Sequence, residues 1–194
     1  MPDEFTDEAL LRRARRGDEG AFLSLYERHH GAAYRFARRL LCDEAAAEDA
    51  VHDCFLELVG RPGFDPARGT LRNYLYGMVR HRALRIFRRA GRECELDEAV
   101  EEQTASRECG PLVRLLDEEL SEAVRRAIAN LPPLQREALV LYEYEELSLA
   151  EIAEVVGADA GAVKARLWRA RANLKGALSD YLSPRGEEAL VLKD

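Results

Sequence analysis

Residues 147–174 constrain the fold more than any other stretch of this chain. Ser148 followed three residues later by Glu151 is a capping box, in which each side chain satisfies a free backbone N–H of the other and a helix begins. Ile152, Ala153 and Val156 form the inward side of that helix. Gly157 follows where a sharp turn leaves no room for a side chain. Asp159 then stands as N-cap of a second helix from about Ala160. Along it Val163, Leu167, Ala170 and Leu174 recur at i, i+4, i+7 and i+11 and define one buried stripe. Ala153, Gly157 and Val163 have the spacing of a helix-turn-helix. On the far side of the second helix lie Gly161, Ala165, Trp168 and Arg169, with Lys164 and Arg171 along one edge and Arg166 along the other. Small residues for close approach, an arginine able to pair with guanine and cations for phosphates are what a helix entering a major groove requires.

The net charge of −7 argues against nucleic acid only if it is spread evenly, and it is not. Residues 1–92 are net +3, residues 93–121 net −8 and residues 122–182 net −1. Binding needs local positive potential rather than a basic chain. Two acid-free clusters supply it: Arg80, Arg82, Arg85, Arg88, Arg89 and Arg92, and Lys164, Arg166, Arg169, Arg171 and Lys175.

The chain is rich in Ala, Leu, Arg and Glu, and no alternating β-branched run suggests a sheet, so an all-α fold is expected. Helices are expected over 7–16, 18–41, 44–59 and 70–90, with breaks at Gly17-Asp18, Cys42-Asp43 and Gly60–Pro66. Residues 93–116 read as an acidic linker. Residues 117–182 are again helical, and residues 183–194 are a tail. The expectation is two small helical domains, 1–92 and 117–182, joined by that linker. How the two pack is left open by the sequence.

In the helix over 44–59, Val51, Cys54, Phe55 and Leu58 share one side, while Asp49, His52, Asp53 and Leu56 make an acidic face with an exposed leucine, which suggests a partner surface. The helix over 70–90 starts with Leu71, Leu75, Met78 and Val79 on one side. Tyr74, His81, Arg85 and Arg88 form a separate aromatic and basic stripe of the kind that holds unstacked bases. Arg82 interrupts the apolar side, so the helix is expected to leave its bundle there. The loop Phe64–Thr70 is the size of a small pocket.

Other classes find little support. There is no H-E-x-x-H, phosphate-binding glycine loop or G-x-S-x-G, and His29-His30 are adjacent rather than on one helix face, so no enzyme activity, small-molecule substrate, metal or cofactor is expected. Cys42, Cys54, Cys94 and Cys109 include no C-x-x-C pair and read as free thiols, with a zinc or redox role for Cys94 and Cys109 as the alternative. No stretch reaches membrane-spanning length and the N-terminus is acidic, so a cytoplasmic location is expected. An ordinary helix-turn-helix regulator that binds duplex DNA on its own remains a competing reading.

Three stretches together resemble the extracytoplasmic-function group of RNA polymerase sigma factors: Ala47-Glu-Asp-Ala-Val-His-Asp-Cys-Phe-Leu-Glu-Leu-Val59, Phe64-Asp-Pro through Arg89, and Leu131-Pro-Pro-Leu-Gln-Arg-Glu through Leu174. Ala150-Glu-Ile-Ala153 and Val163–Arg171 are the most specific parts. The resemblance implies a factor that binds core RNA polymerase and directs initiation at chosen promoters. It implies that Asp49, His52, Asp53 and Leu56 meet the polymerase. It implies that Asp65, Arg68, Arg72, Asn73, Tyr74, His81, Arg85 and Arg88 capture and melt the −10 element. Lys164, Ala165, Trp168 and Arg169 would read the −35 duplex, with Arg166 and Arg171 at phosphates. An anti-sigma partner is also implied. Where the family usually has Trp, Asn and often Asp, this chain has Tyr74, His81 and Arg85.

Overall fold

The computed structural model describes residues 5–89 and 113–182, without side chains for residues 113–119, 180 and 182. Most of the expected acidic linker, Arg92, Cys94, Cys109 and the tail 183–194 lie outside the described residues. Among the described residues the chain is all-α: α1 Asp7–Ala14, α2 Glu19–Leu41, α3 Glu44–Gly60, a 3-10 turn Pro66–Arg68, α4 Leu71–Arg89, α5 Val113–Ala129, α6 Pro133–Glu143, α7 Leu149–Val156, α8 Ala160–Ala177 and α9 Ser179–Leu182. Helix α5 begins inside the stretch expected as linker, since residues 113–116 are helical.

Short polar side chains set the helix starts by accepting backbone N–H groups that have no partner within the helix. Asp18 Oδ1 accepts from Ala21 N at 3.0 Å, Asp43 Oδ1 from Ala46 N at 2.9 Å and Asp159 Oδ1 from Ala162 N at 2.8 Å. The expected capping box is present in both directions: Ser148 Oγ accepts from Glu151 N at 3.3 Å and Glu151 Oε2 accepts from Ser148 N at 2.9 Å. Helix α6 opens instead on Pro133, which pre-sets the helical φ and has no N–H to leave unpaired. Left-handed residues close two helices, Cys42 (φ 56°) after α2 and Gly157 (φ 63°) after α7.

In the first block α2 lies between α1, α3 and α4. Its Leu25, Phe36 and Leu40 are buried with Val51, Phe55 and Leu58 of α3 and with Leu75, Tyr76 and Val79 of α4. Helix α4 does not leave the bundle at Arg82, as its sequence suggested. Ala83, Leu84 and Phe87 stay buried beyond it. Arg82 instead folds back onto α3, its Nη1 2.8 Å from Asp53 Oδ2 and its Nη2 2.7 Å from Glu57 Oε2. The ion pairs neutralise the charge, so the apolar side continues past it.

In the second block α8 packs on α6 and α7 through Val163, Leu167 and Ala170, all buried as the i, i+4, i+7 spacing requires. The blocks are not separate bodies. Helix α6 lies on α2 and α7 on α4, and one apolar core runs through both. Arg136 of α6 crosses the seam and donates from Nη1 to the carbonyl of Leu40 at 2.7 Å and from Nη2 to that of Leu131 at 3.0 Å.

Two outcomes follow from this packing. The turn at Gly157 is not crowded in the way its sequence suggested: a Cβ there would meet nothing within 4 Å, and the glycine is favoured by its left-handed φ alone, so Gly157→Ala isolates that backbone penalty; urea unfolding should show a loss of about 1 kcal/mol. Burial pushes the Cys54 thiol up to about 11, whereas Cys42 is exposed. Iodoacetamide at pH 8 should therefore alkylate Cys42 in the folded chain and leave the Cys54 peptide unmodified until denaturant is added.

Candidate nucleic-acid and partner surfaces

Helix α8 owes its outward face to its inward one. With Val163, Leu167 and Ala170 fixed in the core, the helical period turns Gly161, Lys164, Ala165, Trp168 and Arg169 to solvent, where they line one shallow open concavity. Trp168 is 72% exposed, too much for a packing residue. The cations at the edges are placed differently. Arg171 is exposed, donates to Glu143 Oε1 at 2.7 Å and lies 5.2 Å from the Tyr142 ring. Arg166 is not on the open face. It is half-buried and donates to Glu137 Oε1 at 3.3 Å.

The second surface is a groove of about 830 Å³ between the loop before α4, the exposed side of α4 and the end of α7. Asp65 accepts from Ala67 N at 3.0 Å and shapes the 3-10 turn. Gly69 then takes φ 139°, a conformation that favours glycine. Phe64 and Tyr74 meet at 5.6 Å between ring centroids. Gly63 admits the Tyr74 hydroxyl so closely that any Cβ there would collide with it. Tyr74, His81, Arg85 and Arg68 line the groove together, and Arg88 lies exposed further along α4. Of the two others expected in the same set, Asn73 lines the groove and Arg72 faces elsewhere. Arg72 donates to Glu145 Oε2 at 3.0 Å and to Tyr76 Oη at 2.8 Å, and the Asn73 amide reaches Glu151 Oε1 at 3.4 Å. Glu154 and Val155 of α7 wall the groove on that side.

The third surface is the outer side of α3. Asp49, His52, Asp53 and Leu56 are all exposed, Leu56 at 56%. Asp53 is also the partner of Arg82, which fixes its carboxylate on this face.

Reasoning from sequence missed a set of buried acids. Glu137 is fully buried between Arg80 and Arg166, with its Oε2 2.8 Å from Arg80 Nε. Burial pushes its carboxyl above the usual range, against the two guanidinium groups that pull it down. Glu145 is 3% exposed and takes Tyr76 Oη, Arg72 and Arg39. Arg80 of the first basic cluster is thus committed inside the protein. One signal was available for Glu137: it begins the run Glu137–Leu141, otherwise apolar and entirely buried.

Known proteins match this arrangement in order. Residues 25–93 match the Sigma-70 region 2 family and residues 121–174 the Sigma-70, region 4 family. The chain is 31% identical over 172 residues to the ECF RNA polymerase sigma factor SigM of Mycobacterium tuberculosis (strain ATCC 25618 / H37Rv), covering 88% of this chain and 84% of that protein. It is 31% identical over 182 residues to the RNA polymerase sigma factor NccH of Alcaligenes xylosoxydans xylosoxydans, covering 92% and 97%. Among solved structures it resembles CnrH in complex with the cytosolic domain of CnrY, with a TM-score of 0.63 at 27% identity over 90% of this chain and 97% of that one. It also resembles the sigma factor RpoE in complex with the anti-sigma factor NepR from Bartonella quintana, with a TM-score of 0.56 at 25% identity over 77% and 91%. With both regions present in sequence and the helix-turn-helix in place, the chain belongs to the ECF RNA polymerase sigma factors, regulatory subunits that direct transcription initiation rather than catalyse it.

Proposed function

We propose that this factor divides promoter recognition between α8, which reads the −35 duplex, and the groove beside α4, which captures the melted −10 strand, while the outer side of α3 docks on core RNA polymerase. The observation that carries the reading is the α8 face. An exposed tryptophan, two small residues and two cations share one side of a helix whose opposite side is locked in the core. Arg169 has the bidentate geometry for a guanine edge, Ala165 and Gly161 permit close approach, and Lys164 serves a phosphate. Arg171 stands at the rim for a phosphate contact, whereas Arg166 positions α8 through Glu137 instead of touching DNA.

In the groove, Tyr74 offers a ring for base stacking, and His81, Arg85, Arg88 and Arg68 follow the backbone. Asp65 shapes the loop. Asn73 lines the groove with them, and Arg72 belongs to the same set once Glu145 releases it. The α3 face supplies Leu56 as an apolar centre within an acidic rim of Asp49 and Asp53, with His52 beside it. Residues 1–92 form the polymerase-binding and −10 domain and residues 117–182 the −35 domain, on either side of the acidic stretch. The factor works in the cytoplasm beside polymerase; among the described residues no helix is long and apolar enough to cross a membrane. The complexes of CnrH and RpoE support an anti-sigma partner for this chain as well.

Run-off transcription of genomic DNA with core polymerase tests the reading and yields the promoter motif. Promoter-specific transcripts are expected, and a duplex gel shift without polymerase should be weak; strong binding to palindromic duplex by the chain alone would favour a stand-alone regulator. Arg169→Ala should cost about 1–3 kcal/mol of promoter discrimination, relaxing one −35 position. Lys164→Ala should weaken all promoters alike and lower the salt slope by about one. Leu56→Asp should reduce retention on immobilised core polymerase while leaving the thermal melting of the free chain nearly unchanged, because the side chain is already in solvent.

A further inference from the structure

The carbonyl of Leu58 is denied a helical partner by the sequence itself. In a continuing α-helix it would accept from the N–H four residues on, but that residue is Pro62, which has none. Leu58 is 2% exposed, which leaves water little access. Arg15, the C-cap of α1, answers the carbonyl instead. It donates to Leu58 O from Nε at 3.3 Å and from Nη2 at 3.1 Å, and Nη2 also donates to Arg61 O at 2.9 Å. One guanidinium thus spans the last turn of α3 and the first residue of the loop that follows. Helix α1 is a firm base for it: Leu10, Leu11 and Ala14 are buried, and Asp7 lies 2.6 Å from Arg28 and 2.8 Å from His29.

That loop is one wall of the groove beside α4, and Arg15 itself is not among the residues that line it. The loop's own hydrogen bonds are local: Arg61 N to Glu57 O, Ala67 N to Asp65 Oδ1, Arg68 N to Asp65 O and Gly69 N to Pro66 O. Among the described residues, the bond from Arg15 to Arg61 O is the one hydrogen bond that ties residues 61–69 to a distant element. Just beyond that tie, Gly63 packs against the Tyr74 hydroxyl with no room for a Cβ, and Phe64 tilts onto the Tyr74 ring. A small shift at Arg61 is therefore passed directly to Tyr74. We infer that Arg15 is a positioning residue for the −10 site, holding the Leu58 and Arg61 carbonyls so that the loop shapes the base-stacking end of the groove around Tyr74. The inference rests on the assignment of that groove to the melted −10 strand. A planar guanidinium suits the task because its fork donates in two directions at once, which an ammonium in the same place does not do in a fixed geometry. Preforming the loop removes an ordering cost that strand capture would otherwise carry.

Arg15→Gln and Arg15→Lys in the full chain test the role. In the free protein, hydrogen exchange across residues 59–70 should be faster in both variants than in the parent and unchanged across α8, at equal circular-dichroism helicity. With core polymerase, the probe is a fluorescent template that carries the promoter found by run-off transcription and is mismatched over the −10 element. Affinity for it should fall on the order of tenfold in Arg15→Gln, with little recovery in Arg15→Lys. The salt slope, retention on core polymerase and discrimination among −35 substitutions should match the parent. If Arg15→Gln loses helicity, Arg15→Lys, which keeps the charge and the stem, is read in its place. A salt slope lower by about one, with full recovery in the lysine variant, would make Arg15 a phosphate contact and overturn the positioning role. Unchanged loop exchange, or parent-like template binding by both variants, would overturn it as well while leaving the groove assignment intact. Polymerase retention of the parent without any capture of the mismatched template would sink the groove assignment, and the positioning role with it.

Discussion

The carboxylate of Glu137 is the point on which the arrangement turns. It is fully buried and answers two guanidinium groups, Arg80 from α4 and Arg166 from α8. A lone buried carboxylate would be too costly to keep, and each arginine alone would leave part of that cost standing. With both in place, α6 is fixed to a helix on either side. The direction of α8, and so of its outward face, depends on that contact as well as on Val163 and Leu167. Arg166 thus serves inside the protein, aiming the helix, and not as one more surface cation.

A division of the basic residues follows. Of the arginines along α4, Arg80 and Arg82 neutralise acids of α6 and α3, while Arg85, Arg88 and Arg89 remain exposed. On α8 Arg166 is inside, and Lys164 and Arg169 are outside. An acid-free run in sequence is therefore not an acid-free patch in space. Long side chains reach acids far away along the chain, and the positive potential left at the surface is narrower than the count of cations suggests.

Much of the fold was legible in the sequence because its signals are local. The Ser148–Glu151 capping box, the turn at Gly157, the Asp159 cap and the Val163–Leu167–Ala170 stripe depend on residues within a few positions of one another, and all are present. The helix boundaries in the first block fall within two residues of expectation. The orientation of Arg72 and Arg166, and the continuation of α4 past Arg82, were not legible, because each is decided by a carboxylate distant in the chain. Nothing local separates Glu145 from Glu143 or Glu146, yet Glu145 is buried and the other two are exposed. The turn into α7 makes that choice: Glu146 adopts a left-handed φ of 57°, and Leu147 N bonds back to the Leu141 carbonyl at 3.1 Å.

That turn links local strain to long-range recognition. A non-glycine residue in the left-handed region carries a cost that surrounding contacts must offset. Here the same turn drives Leu147 into the core and delivers Glu145 to Tyr76, Arg72 and Arg39. The acid and the left-handed residue are adjacent, so the seam between the blocks and the entry to the helix-turn-helix share one short piece of backbone. A displacement of Glu145 from the first block would therefore be absorbed next to α7, the helix that precedes α8. The burial of Glu145 against the first block and the entry to α7 are set by that one turn, so neither can shift without the other.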